Sequence, residues 1–304
     1  MPLISANGID LEYEIDGPES GPVVLLIMGL AAQLTFWSPE FIAALTGAGF
    51  RVIRFDNRDI GKSHKFHGKR APNPVLQMVA RMAGVRGLAP YSLVDMAQDA
   101  RALLEKLGVG TAHIVGVSMG GMIAQVLAAR APEKIKSLTI IMSSTNNPAL
   151  PRADAEITRF LFSRPKKALS KAEELERSMY FWGLIGTKQS GSSDDELRAR
   201  LAAAFDRSHY PAGPRRQLAA IIDTGDLRKE HTTRIKAPAL VIHGAADPLA
   251  PPAGGVDIAR NIKGADLHMI EGMGHDLPKK FLPEISRLII DHMSAHDERV
   301  ASTA

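Results

Sequence analysis

Gly116-Val117-Ser118-Met119-Gly120-Gly121 joins an apolar, β-branched run, His113-Ile114-Val115, to a run of helical character, Met122-Ile123-Ala124-Gln125-Val126-Leu127-Ala128-Ala129. Strand, G-x-S-x-G, helix is the layout of a nucleophile elbow, a sharp turn that lifts a serine hydroxyl above the end of a sheet. Such a turn holds its serine in a strained backbone conformation, at a cost of about 1–3 kcal/mol. Strand and helix backbones pass so close there that the residues two places either side must be small, and Gly116 and Gly120 meet that need. The helix behind the serine aims its free N–H groups at any anion that develops there. The glycines do not read as a nucleotide site, because neither G-x-G-x-x-G nor G-x-x-x-x-G-K-[ST] occurs in the chain.

Working outward, residues 9–15 alternate apolar and polar and predict a half-exposed antiparallel strand ending at Asp16-Gly17. Residues 23–28 are continuously apolar, as a strand covered on both faces requires. A helix is expected over 38–45 and a strand over 51–55. Residues 93–107 form an amphipathic helix, opened by Ser92 with Asp95 three positions on and stopped by Gly108. Strands follow at 137–142, 239–243 and 265–270, and a last helix at 282–292; the tail from 295 is expected to fray. Strands alternating with helices predict a mostly parallel, doubly wound α/β sheet. The alternation breaks once, between about 146 and 236, where the pattern is helical and Ser193 with Glu196 makes another capping box. The expected organisation is therefore a core of residues 1–145 and 237–304 with an inserted helical cap at 146–236.

A serine hydroxyl is a weak nucleophile until a base sits beside it and a carboxylate orients the base. With an elbow of this kind the chain order is serine, acid, histidine, the last two on loops after later strands. Asp247, in Gly244-Ala245-Ala246-Asp247-Pro248 after strand 239–243, fits the acid; Asp257 falls in a helical stretch and Asp266 at the start of a strand. His275, in Gly272-Met273-Gly274-His275 after strand 265–270, fits the base. Among the other histidines, His243 and His268 lie in strands, His64 and His67 in a basic stretch, and His292 and His296 four apart on the last helix without an evident third metal ligand. An oxyanion hole needs two backbone N–H donors. Met119, directly after the serine, supplies one, and Leu30, after Met28-Gly29 at the end of strand 23–28, supplies the other.

Together these motifs resemble the α/β-hydrolase superfamily over nearly the whole chain: Met28-Gly29, Asp56-Asn57-Arg58-Asp59-Ile60-Gly61-Lys62-Ser63, Gly116 to Gly120, Gly244-Ala245-Ala246-Asp247 and Gly274-His275 occur in order. The chain looks most similar to capped serine esterases of the aclacinomycin methylesterase type. One departure is Met28 where many relatives carry histidine; the hole uses backbone groups, so Met28 and Gly29 become an apolar wall beside the acyl pocket. The resemblance implies a carboxylic ester hydrolase for small to medium apolar esters, needing no cofactor and no metal. Lactones, thioesters, amides, carbon–carbon bonds or peroxide stand as other substrates of the same acyl chemistry, and a non-catalytic binding protein as another class. Aspartate-elbow dehalogenases and epoxide hydrolases are excluded by Ser118. Cap residues Phe160, Phe162, Tyr180, Phe181 and Trp182 are candidates to line the substrate pocket.

Bulk composition agrees with an ordinary globular enzyme: 304 residues, 45% hydrophobic and 23% charged. With no cysteine, disulfides and thiolate chemistry are excluded. No apolar run reaches membrane-spanning length and no secretory leader is evident, so a cytoplasmic protein without stable membrane insertion is expected. The net charge of +4 is local: residues 60–94 carry Lys62, Lys65, Lys69, Arg70, Arg81 and Arg86 and no acid. Without aromatic–basic interleaving this does not suggest nucleic-acid binding. Residues 63–91 make an excursion too long for an ordinary loop. Pro74 is placed to start a short helix whose Val75, Val79 and Met82 share a face, either as a lid over the site or as a segment packed on the cap.

Overall fold

The computed structural model describes residues 2–165 and 167–297. Eight strands form one sheet in the order β1-β2-β4-β3-β5-β6-β7-β8. They span Leu3–Ala6 (β1), Ile9–Asp16 (β2), Val23–Ile27 (β3), Arg51–Phe55 (β4), Ala112–Val117 (β5), Ile135–Ile141 (β6), Ala239–Gly244 (β7) and Asp266–Ile270 (β8). β1 and β2 run antiparallel at one edge, and β4 through β8 pair parallel. The helices are α1 (Pro39–Gly47), α2 (Pro74–Met82), α3 (Leu93–Lys106), α4 (Met119–Arg130), α5 (Ala155–Phe162), α6 (Lys171–Ile185), α7 (Asp194–Arg207), α8 (Gly213–Thr224), α9 (Ala253–Asn261) and α10 (Leu282–Ala295).

The apolar runs are buried on both faces because alternate residues enter different cores. Leu25, Ile27, Ile53, Phe55 and Ile114 pack with α3 and α4. Val24, Leu26, Val52, Val115 and Val117 pack with α1 and α10. The capping boxes form as read: Ser92 with Asp95 opens α3, and Ser193 with Glu196 opens α7. The sequence reading missed β1, a short edge strand, and did not delimit α9. Asp297 is buried and held by Lys136 at 2.6 Å, so the chain is ordered two residues past α10; the rest of the expected fraying tail, residues 298–304, lies outside the described residues.

Helices α5 to α8 fall between β6 and β7 and contain no strand. The excursion does contain the expected helix, α2, capped by Asn73. It packs on α8, inside residues 146–236, and its Met78, Arg81 and Met82 line the large cavity there. Gln77 and Arg81 hold it on α8 through the carbonyls of Ala219, Asp223 and Thr224. Val75, Leu76, Val79 and Met82 are exposed. The basic stretch is also partly tied down. The Lys65 ammonium donates to the carbonyls of Ile60, Gly61 and Ser63, and Arg86 pairs with Glu230.

Candidate active site

The elbow is as tight as its glycines imply. Ser118 has φ 54 and ψ −119, a strained conformation for a residue with a side chain. A Cβ on Gly116 would lie 2.3 Å from the Gly120 carbonyl oxygen, and one on Gly120 would lie 2.0 Å from that of Ile27. The Ser118 N–H donates to Ile141 at 2.9 Å, and the Ser143 hydroxyl donates to the Ser118 carbonyl at 2.7 Å, so the turn is tied to β6 and the loop after it.

At this end of the parallel strands the loops after β5, β7 and β8 bring three side chains together. His275 Nε2 is 2.9 Å from Ser118 Oγ, and His275 Nδ1 is 2.7 Å from Asp247 Oδ2. Asp247 is buried, and its other oxygen accepts the N–H groups of Leu249 and Ala250 at 2.9 and 2.8 Å. That leaves Oδ2 free to fix the imidazole with Nε2 toward the serine. The competing aspartates are elsewhere: Asp257 is bonded to Thr145, and Asp266 is exposed. His243 is fully buried 3.6 Å from Asp247, and its Nε2 bonds the Ala250 carbonyl at 2.7 Å. Burial lowers its pKa, so it stays neutral beside the acid. His268 pairs with Glu284, and the rings of His292 and His296 pack on each other.

Gly29 sits against Ser118: a Cβ there would meet Ser118 Cβ at 3.2 Å and the Val117 carbonyl oxygen at 3.3 Å. The Leu30 and Met119 N–H groups have no acceptor among the described residues, as donors reserved for a substrate oxygen require. The loop that carries Leu30 is held from three sides. Asn57 Nδ2 donates to the Met28 carbonyl at 2.9 Å, Asp56 accepts from Leu34 at 2.8 Å, and Gln217 Oε1 on α8 accepts from Ala31 at 3.0 Å. Ala31 has φ 65, so that last bond holds a strained residue. Gln33, beside it, donates to the carbonyls of Ala204 and Ser208 at the end of α7. The histidine loop is held likewise. His275 N–H donates to the Ile185 carbonyl at 2.7 Å, and Gly274 N–H to Thr187 at 2.8 Å, just past α6.

A cavity of about 1000 Å³ opens over Ser118 and His275. Met28, Gly29, Phe160, Phe162, Phe181 and Trp182 line it, as expected from the sequence. Tyr180 does not: it is 50% exposed and its hydroxyl bonds Glu156, because α6 turns that position away from the cavity. Gln33, Gln217 and Arg200 were not singled out in the sequence. Asp56, Asn57 and Arg58 were visible as a motif without a stated role.

A family model for the alpha/beta hydrolase fold matches residues 22–279. The chain belongs to the α/β-hydrolase family. This hydrolase is 29% identical over 96% of its length to the rhodomycin D methylesterase of Streptomyces sp. (strain C5), of which 98% is covered. It is 28% identical, over the same shares, to the rhodomycin D methylesterase of Streptomyces peucetius. The likeness to methylesterases read from the motifs is thus met by whole-length relatives. Among solved structures, the enol-lactonase from Burkholderia xenovorans LB400 superimposes with a TM-score of 0.74 at 25% identity, over 96% of this chain and 100% of that one. Among the described residues no helix is long and apolar enough to cross a membrane.

Proposed function

We propose that this hydrolase is a serine carboxylic ester hydrolase for small-molecule esters, working through Ser118, His275 and Asp247 and an acyl-enzyme. The observation that carries the reading is the continuous chain of contacts from Ser118 Oγ through the imidazole to Asp247, at 2.9 and 2.7 Å, in an elbow whose strain nothing but presentation of the hydroxyl explains. His275 Nε2 takes the Ser118 proton as Oγ attacks the ester carbonyl, and Asp247 stabilises the imidazolium. The carbonyl oxygen, gaining charge, is met by the N–H groups of Leu30 and Met119, a donor of this kind being worth about 3–4 kcal/mol of barrier. His275 returns the proton to the leaving alcohol, and water repeats the sequence to release the acid. No step calls on a cofactor. In this reading residues 146–236 act as a cap, and Met28, Gly29 and Trp182 line the substrate pocket. The likeness to an enol-lactonase, at 25% identity over 96% of this chain and 100% of that one, supports lactones as the second substrate class.

The test is a panel of esters, lactones and amides run on wild type and on Ser118→Ala, His275→Ala and Asp247→Asn, with labelling by a fluorophosphonate. Ester turnover is expected to fall by several orders of magnitude in each variant. Ser118→Ala combined with His275→Ala should cost little more than either alone, since the groups act as a unit. Additive losses, or full activity without Ser118, would sink the mechanism; a wild type that neither labels nor turns over any ester would sink the function.

A further inference from the structure

The inner face of α7 is written at helical spacing: Arg200, Leu201, Ala204, Phe205 and Ser208 all line the cavity that opens on Ser118. Leu201, Ala204 and Phe205 suit an apolar pocket; Ser208, which caps α7, is polar and tied to the Gly61 carbonyl, and Arg200 carries a charge. Its guanidinium carbon lies 5.1 Å from the Phe36 ring centroid and 5.6 Å from that of Trp182, two rings stacked at 5.9 Å and 11°. Both rings frame the catalytic centre. Phe36 follows the Leu30 loop, and Trp182 lies one turn before Ile185, whose carbonyl accepts the His275 N–H.

Arg200 is half-buried, and the two fully buried arginines near the site are matched. Arg58 meets Asp99 at 2.6 Å, and Arg216 meets Asp59 at 2.7 Å, each through two nitrogens. Arg200 has no carboxylate within 4.0 Å and no hydrogen-bond acceptor among the described residues, and its Nε is buried without a partner. The carboxylate that acts on it from further off is Asp276, and one of that residue's oxygens is taken by the N–H and hydroxyl of Thr187. Burial pushes the Arg200 pKa down and the Asp276 pKa up, as for two charges held from water and not closed on each other. Arg81, Arg152, Arg177 and Arg215 line the same cavity, and so do the carboxylates Asp59, Glu174, Asp226 and Asp276, so the positive excess is small and the case rests on Arg200 being without a partner.

We propose that Arg200 is a carboxylate-binding subsite and that the substrate of this hydrolase carries a second acid group: it is the hemiester, or the lactone acid, of a dicarboxylic acid. This rests on the ester hydrolase reading and specifies its substrate. A guanidinium stacked on aromatic faces keeps its nitrogen edge free, and that planar fork matches a carboxylate with two parallel bonds. In a cavity walled by Phe, Trp and Leu, such a pair is screened little by water, so it fixes which end of a substrate reaches Ser118.

The experiment compares p-nitrophenyl hemiesters of succinic, glutaric and adipic acids with the p-nitrophenyl esters of the neutral acids of equal chain length. The expected result is a kcat/KM ratio favouring the best hemiester by about 10-fold to 100-fold, as a charge-assisted bond supplies. Arg200→Leu should bring that ratio to about one, and Arg200→Lys should leave an intermediate value because it keeps the charge without the fork. A wild-type ratio of one at every chain length, or an unchanged ratio in Arg200→Leu, overturns the proposal while leaving the esterase reading intact. A second measurement does not need turnover. In Ser118→Ala, fluorescence of Trp182, the neighbour of Arg200, is titrated with monomethyl adipate and with methyl hexanoate. Tighter binding of the acid that vanishes on adding Arg200→Leu supports the subsite; equal binding of both ligands refutes it even if no ester is ever hydrolysed.

Discussion

Replacing Gln217 by leucine tests how the oxyanion loop is held. The side chain is fully buried, accepts the Ala31 N–H at 3.0 Å and donates to the Arg58 carbonyl at 2.9 Å, so α8 grips two core loops through one amide. Leucine fills similar space and makes neither bond. The Arg58 carbonyl then loses its buried donor, at a cost of about 1–3 kcal/mol in stability. The catalytic effect comes from Ala31. At φ 65 it sits in the left-handed region, which costs an L-residue about 1–2 kcal/mol. The bond from Gln217 opposes that strain by about 1 kcal/mol. Without it, the strain is unopposed, the loop relaxes and the adjoining Leu30 N–H leaves its place, so the productive geometry is disfavoured by about 1–2 kcal/mol. The expected fall in kcat is about 5-fold to 30-fold, below the full loss of a hole donor, with KM changed less than about threefold because the bond to the oxygen matures only in the transition state. Steady-state kinetics on a p-nitrophenyl ester measure this, and inactivation by a fluorophosphonate should slow in proportion. Adding Ala31→Gly to Gln217→Leu should restore part of kcat, since glycine holds positive φ without steric cost. A Gln217→Leu enzyme with unchanged kcat and a lowered melting temperature would refute the argument and leave the residue a structural tie. So would a double variant no faster than the single.

Two further outcomes follow from buried charge and burial. His113 is fully buried against Ser137 and Phe50, and burial pulls its pKa from 6.5 to about 4. The folded pKa is the lower one, so this contribution is complete above 6.5 and is lost as pH falls toward 4. Unfolding free energies from urea titrations at pH 7.5 and pH 5 should differ by about 2 kcal/mol more in wild type than in His113→Gln; equal pH responses would contradict the shift. Arg216→Leu leaves Asp59, fully buried, with only Tyr91 as a side-chain partner, and should cost about 3–5 kcal/mol in denaturant unfolding, whereas a loss under 1 kcal/mol would show that Asp59 takes up a proton or reaches water instead.

The parts of the site that were legible in the sequence are those set by local backbone rules. Gly116 and Gly120 flank Ser118 because two backbones nearly touch, and any Cβ there would collide. Asp247 and His275 could be placed because each lies on a loop after a strand, Asp247 after the apolar β7 and His275 after β8, in the chain order the elbow requires. What stayed hidden depends on which way a cap side chain points. Tyr180 and Trp182 are two residues apart on α6, yet one faces solvent and the other the cavity. Gln217 and Ala31 are 186 residues apart, and no periodicity marks a glutamine that will bond a distant backbone amide. β1 was missed for a related reason: only Ala6 of its four residues is buried, so it has no apolar alternation to read.

Ser118 and His275 lie 157 positions apart, and everything between them is made before the imidazole exists. On the ribosome the elbow strand and its neighbours are complete while α5 to α8 are still emerging, and β8 is added last at the free edge of the sheet. A nascent chain therefore carries a presented serine with no base to activate it. On the proposed mechanism, hydrolytic activity would wait for the loop after β8, so its onset would mark the joining of that last strand to the sheet.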